Sequence, residues 1–77
     1  MRSDTKETID NYANRRMAPG GFLMAVLSND LTESFARADD DNREHMFDIV
    51  SYCVNHIPGQ CWGSSAAVKH WLEGVGQ

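Results

Sequence analysis

Four residues in the C-terminal third have side chains that can bind zinc. Cys53, His56, Cys61 and His70 follow the pattern C-x2-H-x4-C-x8-H, and zinc in structural sites is held by four Cys or His ligands. However, Cys53 also falls on an apolar helical stripe, where a free Cys behaves as a small hydrophobic residue, and the spacing matches no standard zinc finger. We therefore expect buried thiols, surface imidazoles and no metal or other cofactor. A zinc-stabilised transcription regulator is kept as an alternative.

The same region supplies the residue types of a nucleophilic catalyst. Cys61 could act as the nucleophile, His56 as its base and Asp48 as the orienting acid, since an activated thiol needs a neighbouring base that is itself held in place. The sequence contains no nucleophile-elbow pattern, and a chain of this length seldom encloses a substrate. We expect no catalytic residues and a protein that is not an enzyme.

A different chemistry is indicated by the segment P-G-G-F at 19–22. Glycines ahead of a helix leave backbone N–H groups free at its positive end, where anions bind. Arg15 and Arg16 end the preceding predicted helix and could lie at the same point. Gly20, Gly21 and Phe22, with the two arginines, are thus candidate ligand-binding residues for a phosphate, a carboxylate or a nucleotide-type signal. The alternative is a plain turn between helices, because two glycines fall short of a phosphate-loop pattern.

Trp62 lies in the segment C-W-G-S, between two predicted helices. A Trp in such a loop usually packs into a core or an interface with its N–H bonded. One interpretation is a lid that is partly buried near Val54 and Ile57. The other is an exposed aromatic anchor for a partner, which makes Trp62 the candidate partner-binding residue.

Charge and length narrow the possible partners. The 77 residues carry a net charge of −4, and the seven Lys and Arg are scattered, which disfavours nucleic acid because duplex binders usually present a basic face. The sequence has no run of about 18 apolar residues, so we expect no membrane span. The N-terminus also lacks an apolar signal segment. We expect a protein of the cytoplasm. So short a chain buries a small core, which favours oligomerisation.

The elements that must position these residues are predicted to be helices only. Asp4 is a candidate N-cap of the first helix, and the triplet Asp39-Asp40-Asp41 is interpreted as an N-cap and first turn. No period-2 alternation of useful length predicts a strand. We expect one all-α domain over residues 1–77, a small bundle with three main helices and a short C-terminal fourth, which span about 1–17, 21–37, 41–56 and 66–73.

Two of these helices have broad apolar stripes. In the second, Leu23, Leu27, Leu31 and Phe35 follow one another by helical turns; the stripe of the third consists of Met46, Ile49, Val50, Cys53, Val54 and Ile57. Both stripes are wider than one neighbour in a small bundle can cover. The sequence therefore predicts a homo-oligomer that associates through the uncovered part of one of them.

An ordered series of short motifs adds context. The chain reads P-G-G-F-L-M-A-V-L-S-N-D-L at 19–31, R-A-D-D-D-N-R at 37–43, I-V-S-Y at 49–52 and C-W-G-S at 61–64. In these motifs it resembles a family of short proteins encoded by bacteriophages and prophages, over roughly residues 9–73. The resemblance brings no catalytic residues. It implies a bacterial host cytoplasm and a protein that binds a host enzyme or defence factor, or that sequesters a signalling molecule.

Together these observations predict a small non-catalytic binding protein of phage type. It would act on a host factor or defence system through protein–protein contacts, as a homo-oligomer. Sequestration of an anionic small molecule at the Gly20-Gly21 helix start is the alternative.

Overall fold

The computed structural model describes residues 1–74. Over this range the chain is all α-helical and has no strand, which confirms the predicted fold class. There are six α-helices rather than four, because two predicted helices are each divided in two. The helices are α1 (Ser3–Arg15), α2 (Gly21–Leu27), α3 (Leu31–Arg37), α4 (Asp40–Glu44), α5 (Met46–His56) and α6 (Ser65–Glu73), and a 3-10 turn, Gly59–Cys61, lies between α5 and α6.

The predicted helix at 21–37 is interrupted at residues 28–30. Asn29 adopts the left-handed conformation with φ 61°, and the N–H of Asp30 donates to the carbonyl of Ala25 at 2.9 Å, which together close the end of α2. The Asp30 carboxylate then accepts from the N–H of Glu33 at 3.1 Å and caps α3. A continuous helix over this segment was therefore a wrong prediction, and α3 leaves the turn in a new direction.

The predicted helix at 41–56 is also divided, at His45. Its start is as expected, since the Asp39 carboxylate accepts from the N–H of Asn42 at 2.8 Å and caps α4. His45, with φ −106° and ψ 16°, then separates the short α4 from α5. The chain leaves the helical conformation at Ile57, directly before Pro58, as predicted.

The outer helices begin and end close to their predicted limits. α1 begins at Ser3 with Arg2 at its N-cap position, so Asp4 is in its first turn and not its cap. It ends at Arg15, where the left-handed Arg16 (φ 56°) turns the chain before Pro19 is reached. Ser64 caps α6 by accepting from the N–H of Ala67 at 3.0 Å. In the sequence, Gly74 and Gly76 are typical of a fraying chain end; Gly76 lies outside the described residues.

The core is formed where α1, α2, α5 and α6 meet the 3-10 turn. Its fully buried centre consists of Ile9, Tyr12, Leu27, Ile49, Cys53 and Cys61, surrounded by Leu23, Val26, Ile57 and Val68. α1, α2 and α5 each contribute residues three or four positions apart, as one buried face requires, and α6 contributes Val68. These four helices and the 3-10 turn therefore share one hydrophobic core.

Tyr12 of α1 forms hydrogen bonds with Cys61 in the 3-10 turn and with Trp71 in α6. Its hydroxyl donates to the carbonyl of Cys61 at 2.6 Å, and its own carbonyl accepts from the indole N–H of Trp71 at 2.8 Å. Both bonds satisfy polar groups that would otherwise be costly to bury. We call Tyr12, Arg16, Cys61 and Trp71 the Tyr12 cluster, since the guanidinium of Arg16 also stacks on the Trp71 ring at 3.8 Å.

Candidate protein-interaction site

One side of the molecule presents a continuous group of exposed apolar side chains. Leu31 and Phe35 lie one turn apart on α3, while Phe47, Val50 and Val54 follow one another by single turns on α5. Leu31 is 69% exposed, Phe47 82% and Val54 62%. We call these five residues the α3/α5 apolar face. Its two Phe rings alone expose about 200–300 Å², so the whole face is at the upper end of what a monomer typically shows.

The new direction of α3 explains why this face is outside. A continuous helix from 21 to 37 would place Leu31 and Phe35 in line with the buried Leu23 and Leu27, which is what the sequence predicts. The left-handed turn at Asn29 moves them out of that line. On α5, the face buried in the core is Met46, Ile49 and Cys53, so the other half of its apolar stripe has no covering element among residues 1–74.

A groove runs between α3 and α5 within this face. It has a volume of about 70 Å³ and is lined on its apolar walls by Val26, Leu31, Met46, Val50 and Trp62. Of the three polar side chains at its edge, that of Asp30 caps α3, that of Ser34 donates to the carbonyl of Leu31 at 2.8 Å, and Asn29 lies in the turn between α2 and α3. The groove therefore offers an apolar recess with few free polar groups, which suits an apolar side chain.

Trp62 has features of both predicted interpretations. It is half-buried and packs against the core, as a lid would. Its ring also lines the open groove, where its neighbours on α5 are Met46 and Val50, toward the other end of α5 from the expected Val54. The position of its loop is fixed by the N–H of Gly63, which donates to the carbonyl of Leu27 at 2.7 Å. Trp62 can therefore contact a partner without leaving the core.

The candidate anion-binding residues are divided between two places. Gly20, Gly21 and Phe22 line an open groove of about 300 Å³ whose cation is Arg2, not Arg15 or Arg16. The Arg16 guanidinium is instead stacked on Trp71, and its Nη1 is buried with no hydrogen-bond partner in the described chain. The structure therefore does not bring the predicted arginines to the predicted glycines.

The Arg2 guanidinium at the Gly20-Gly21 groove is already paired with carboxylates of the same chain. Arg2 lies 3.4 Å from carboxylate oxygens of both Asp39 and Asp41, and 3.7 Å from that of Asp4. An anion in this groove would compete with three carboxylates for one guanidinium. Anion sequestration at this site stays a prediction, with Arg2 as the only arginine among the groove-lining residues of the described chain.

Gly21 lies against the side chain of Arg37, at the start of α2. A Cβ at this position would lie 2.9 Å from Nη1 of Arg37, which crosses the start of α2. Arg37 is held there by Glu33, whose carboxylate is 3.3 Å from its Nε. The contact is with the far end of a flexible side chain, so the glycine leaves room for the Arg37 side chain in this position.

The two thiols are in environments that suppress their chemistry. Burial raises the pKa of Cys53 to about 11, and it also raises the pKa of Cys61, whose Sγ donates to the carbonyl of Pro58 at 3.1 Å. A protonated, fully buried thiol is a poor nucleophile and a poor metal ligand. His56, by contrast, is exposed and lies against the ring of Tyr52 with centroids 4.5 Å apart.

The four candidate zinc ligands of the alternative interpretation are therefore in unlike surroundings, with Cys53 and Cys61 in the core and His56 and His70 exposed. Within residues 1–74, no three His, Cys, Asp or Glu side chains are grouped so that they could hold a metal ion. In the same range, no helix is long and apolar enough to cross a membrane.

Comparisons with known proteins leave the site to be interpreted from its geometry. No protein-family model, no curated protein and no solved structure matches the chain.

Proposed function

We propose that this chain is a small, non-catalytic binding protein of phage type that works as a homo-oligomer through protein–protein contacts. The observation that supports this proposal is the α3/α5 apolar face. Leu31, Phe47 and Val54 are exposed on two adjacent helices, and an apolar surface of this extent on a small protein usually marks an interaction site.

The groove within the face gives the surface the features of an interface. Binding energy in protein complexes is concentrated in a few buried aromatic anchors surrounded by polar residues. Here Trp62 lines the groove, Phe47 is exposed on α5 one turn before the groove-lining Val50, and Glu33 and Arg37 form an ion pair on α3. Because Glu33 and Arg37 neutralise one another on α3, neither needs a partner at the centre of the α3/α5 apolar face, where the contacts would be apolar.

The cellular role proposed here is the binding of a host factor or defence component in a bacterial cytoplasm. It follows from the resemblance to short phage proteins, whose motifs are found at 19–31, 37–43, 49–52 and 61–64. An oligomer would present several copies of its target-binding surface, which raises the effective affinity for a target.

Light scattering coupled to gel filtration tests the oligomer. We expect a molar mass of at least twice 8.6 kDa at tens of micromolar, because the exposed apolar area favours association. In a Phe47→Asp variant the mass should fall to that of one chain. Met17→Asp is the matched control, since Met17 is an exposed apolar residue of the α1–α2 connection, outside the face. A wild-type protein that remains a monomer would contradict the oligomer.

The host target is sought with the same variants. Tagged wild-type protein, Phe47→Asp and Met17→Asp are used to capture proteins from a bacterial lysate. If the oligomer is the binding form, a target should be retained by wild type and Met17→Asp and reduced with Phe47→Asp. Equal retention by all three would separate target binding from oligomerisation.

A further inference from the structure

Building on the proposed oligomer, we infer that the α3/α5 groove is filled by Phe47 of a second copy of this chain, and that the two copies exchange these rings reciprocally. Each groove would then be completed by a residue of the other copy. The surface is the α3/α5 apolar face of the proposed oligomer, and its occupant is the Phe47 ring of the other copy.

The projecting group is Phe47. Its ring is 82% exposed, which is the greatest exposure among the large hydrophobic side chains of the described residues. It stands on α5 one turn before Val50, and Val50 is itself a wall of the groove. A projecting ring and an apolar recess are therefore adjacent on one surface of one chain.

The size of the recess matches the outer part of a phenyl ring. A dry cavity of about 150 Å³ holds a whole benzene molecule, and this groove has about 70 Å³ and is open on one side. The ring of Phe47 would enter from that side and rest against Leu31 and Trp62. The hydroxyl of Ser34 and the carboxylate of Asp30 are bonded within α3, so the ring would displace no required partner of these groups.

The placement of ring and recess fits a two-fold axis. An isologous dimer uses the same patch on both copies, so that whatever one chain inserts the other inserts in return. Phe47, Val50 and Val54 are spaced by three and four residues, as in a helix that packs along another helix. With the axis near residue 48 and the two α5 helices antiparallel, each Phe47 lies opposite the stretch of α5 from Met46 to Val50 that lines the groove of the other copy.

The extent of the face agrees with what a dimer requires. A standard interface buries about 800 Å² on each partner, with an apolar centre and a polar rim. The two Phe rings supply about 200–300 Å² of that centre, and Leu31, Val50 and Val54 add to it. At the rim, the pairing of Glu33 with Arg37 at 3.3 Å keeps the α3 edge locally neutral, although each copy has a net charge of −4.

Sedimentation equilibrium of single variants is the first test. Phe47→Ala removes the ring without adding charge, and Met17→Ala is the matched control. We expect the dimer dissociation constant to increase about 100-fold for Phe47→Ala, that is about tenfold for each of two lost rings, and to stay within about twofold for Met17→Ala. Circular dichroism should show both variants folded, because both side chains are exposed.

Mixing two variants tests the reciprocal exchange itself. Phe47→Ala retains the groove but has no ring to insert, while Val50→Trp retains the ring but fills its own groove. Each variant alone should be a monomer at concentrations where wild type is a dimer. An equimolar mixture should form heterodimers about tenfold weaker than wild type, because one ring and one groove remain.

The outcomes distinguish this inference from the proposed function. If wild type assembles and Phe47→Ala assembles with an unchanged dissociation constant, the exchange is overturned and the oligomer stands. If the two variants fold but their mixture stays monomeric, the exchange is likewise overturned. A monomeric wild type overturns both the oligomer and the inference built on it.

Discussion

The two sides of α5 are both apolar, yet they differ in every physical respect that determines their role. Ile49 and Cys53 face inward and are fully buried, next to the hydrogen-bonded Tyr12 cluster, whereas Phe47 and Val54 face outward and are mostly exposed. The inner side is fixed by contacts from elements far apart in sequence. The outer side has no covering element among residues 1–74. Substitutions on the inner side should therefore affect folding, and those on the outer side should affect association.

Truncation of Tyr12 should have the largest effect on stability. Tyr12→Ala removes a fully buried ring from the centre of the core, and we expect a loss of about 3–5 kcal/mol in the free energy of unfolding, enough to unfold a marginal domain. Tyr12→Phe keeps the ring but removes the bond to the Cys61 carbonyl, for a loss of about 1–3 kcal/mol. Urea denaturation followed by circular dichroism measures both.

The matched substitution on the outer side is Phe47→Ala. Its free energy of unfolding is measured in dilute samples, where the chain is monomeric. Surface substitutions usually change the free energy of unfolding by less than about 0.5 kcal/mol, and we expect that here because Phe47 is 82% exposed. A loss comparable to that of Tyr12→Ala would show that the two sides of α5 do not differ as described.

Trp62 lies at the boundary between the two regions and should show an intermediate effect. It is half-buried against the core and also lines the groove. We expect Trp62→Ala to cost about 1.5–3 kcal/mol in stability, less than a fully buried aromatic residue, and also to weaken dimerisation. Thermal melting and sedimentation report the two effects separately. A change in only one of them would assign Trp62 to a single region.

Alkaline pH should lower the stability of the folded chain. Burial raises the pKa of Cys53 from 9.0 to about 11 and that of Tyr12 from 10.0 to about 12, and a hydrogen bond to the Asp10 carboxylate raises that of Tyr52 to about 12. Each folded-state pKa is above the unfolded value, so the folded state favours the protonated form. This stability is fully present below about pH 9 and is lost as pH rises toward 12.

Melting temperatures measured between pH 7 and 12 test this dependence. We expect a constant value up to about pH 9 and a progressive fall above it. Tyr52→Phe removes one titrating group, whose hydroxyl lies 2.5 Å from Oδ1 of Asp10, and should make the fall between pH 10 and 12 less steep. A melting temperature that stays constant to pH 12 would contradict the raised pKa values of these groups.

The sequence predicts the fold class because its helix signals are local. Asp39 and Ser64 are N-caps with the hydrogen bonds that their positions suggest, and Pro58 follows the end of α5. The all-α class and the limits of the last helix follow from such local chemistry. The break at 28–30 also had a local signal, since Asn tolerates the left-handed conformation and Asp30 precedes Glu33 as in a capping box. The long apolar stripe concealed it.

The interaction site was less predictable, because exposure depends on contacts between distant elements. Periodicity places Val50 and Val54 on the same stripe as Ile49 and Cys53, and only the packing of α1, α2 and α6 decides which half is covered. Phe47 was not singled out as a site residue for the same reason. Trp62 could be proposed because an aromatic residue in a short loop has few possible roles, although its groove neighbours could not be named.

The hydrogen bonds of Tyr12 have a consequence for how the molecule opens. They connect Tyr12 to Cys61, 49 positions later in the chain, and to Trp71, 59 positions later. α1 and α6 therefore pack against each other although they are the first and last helices of the described chain. Neither can detach without exposing the Tyr12 ring to water, and their backbone amides should exchange with solvent in one concerted opening. The short α3, held mainly by its cap and by α2, should exchange sooner. The outward half of the molecule would thus be free to adjust to a bound surface while the paired ends stay closed.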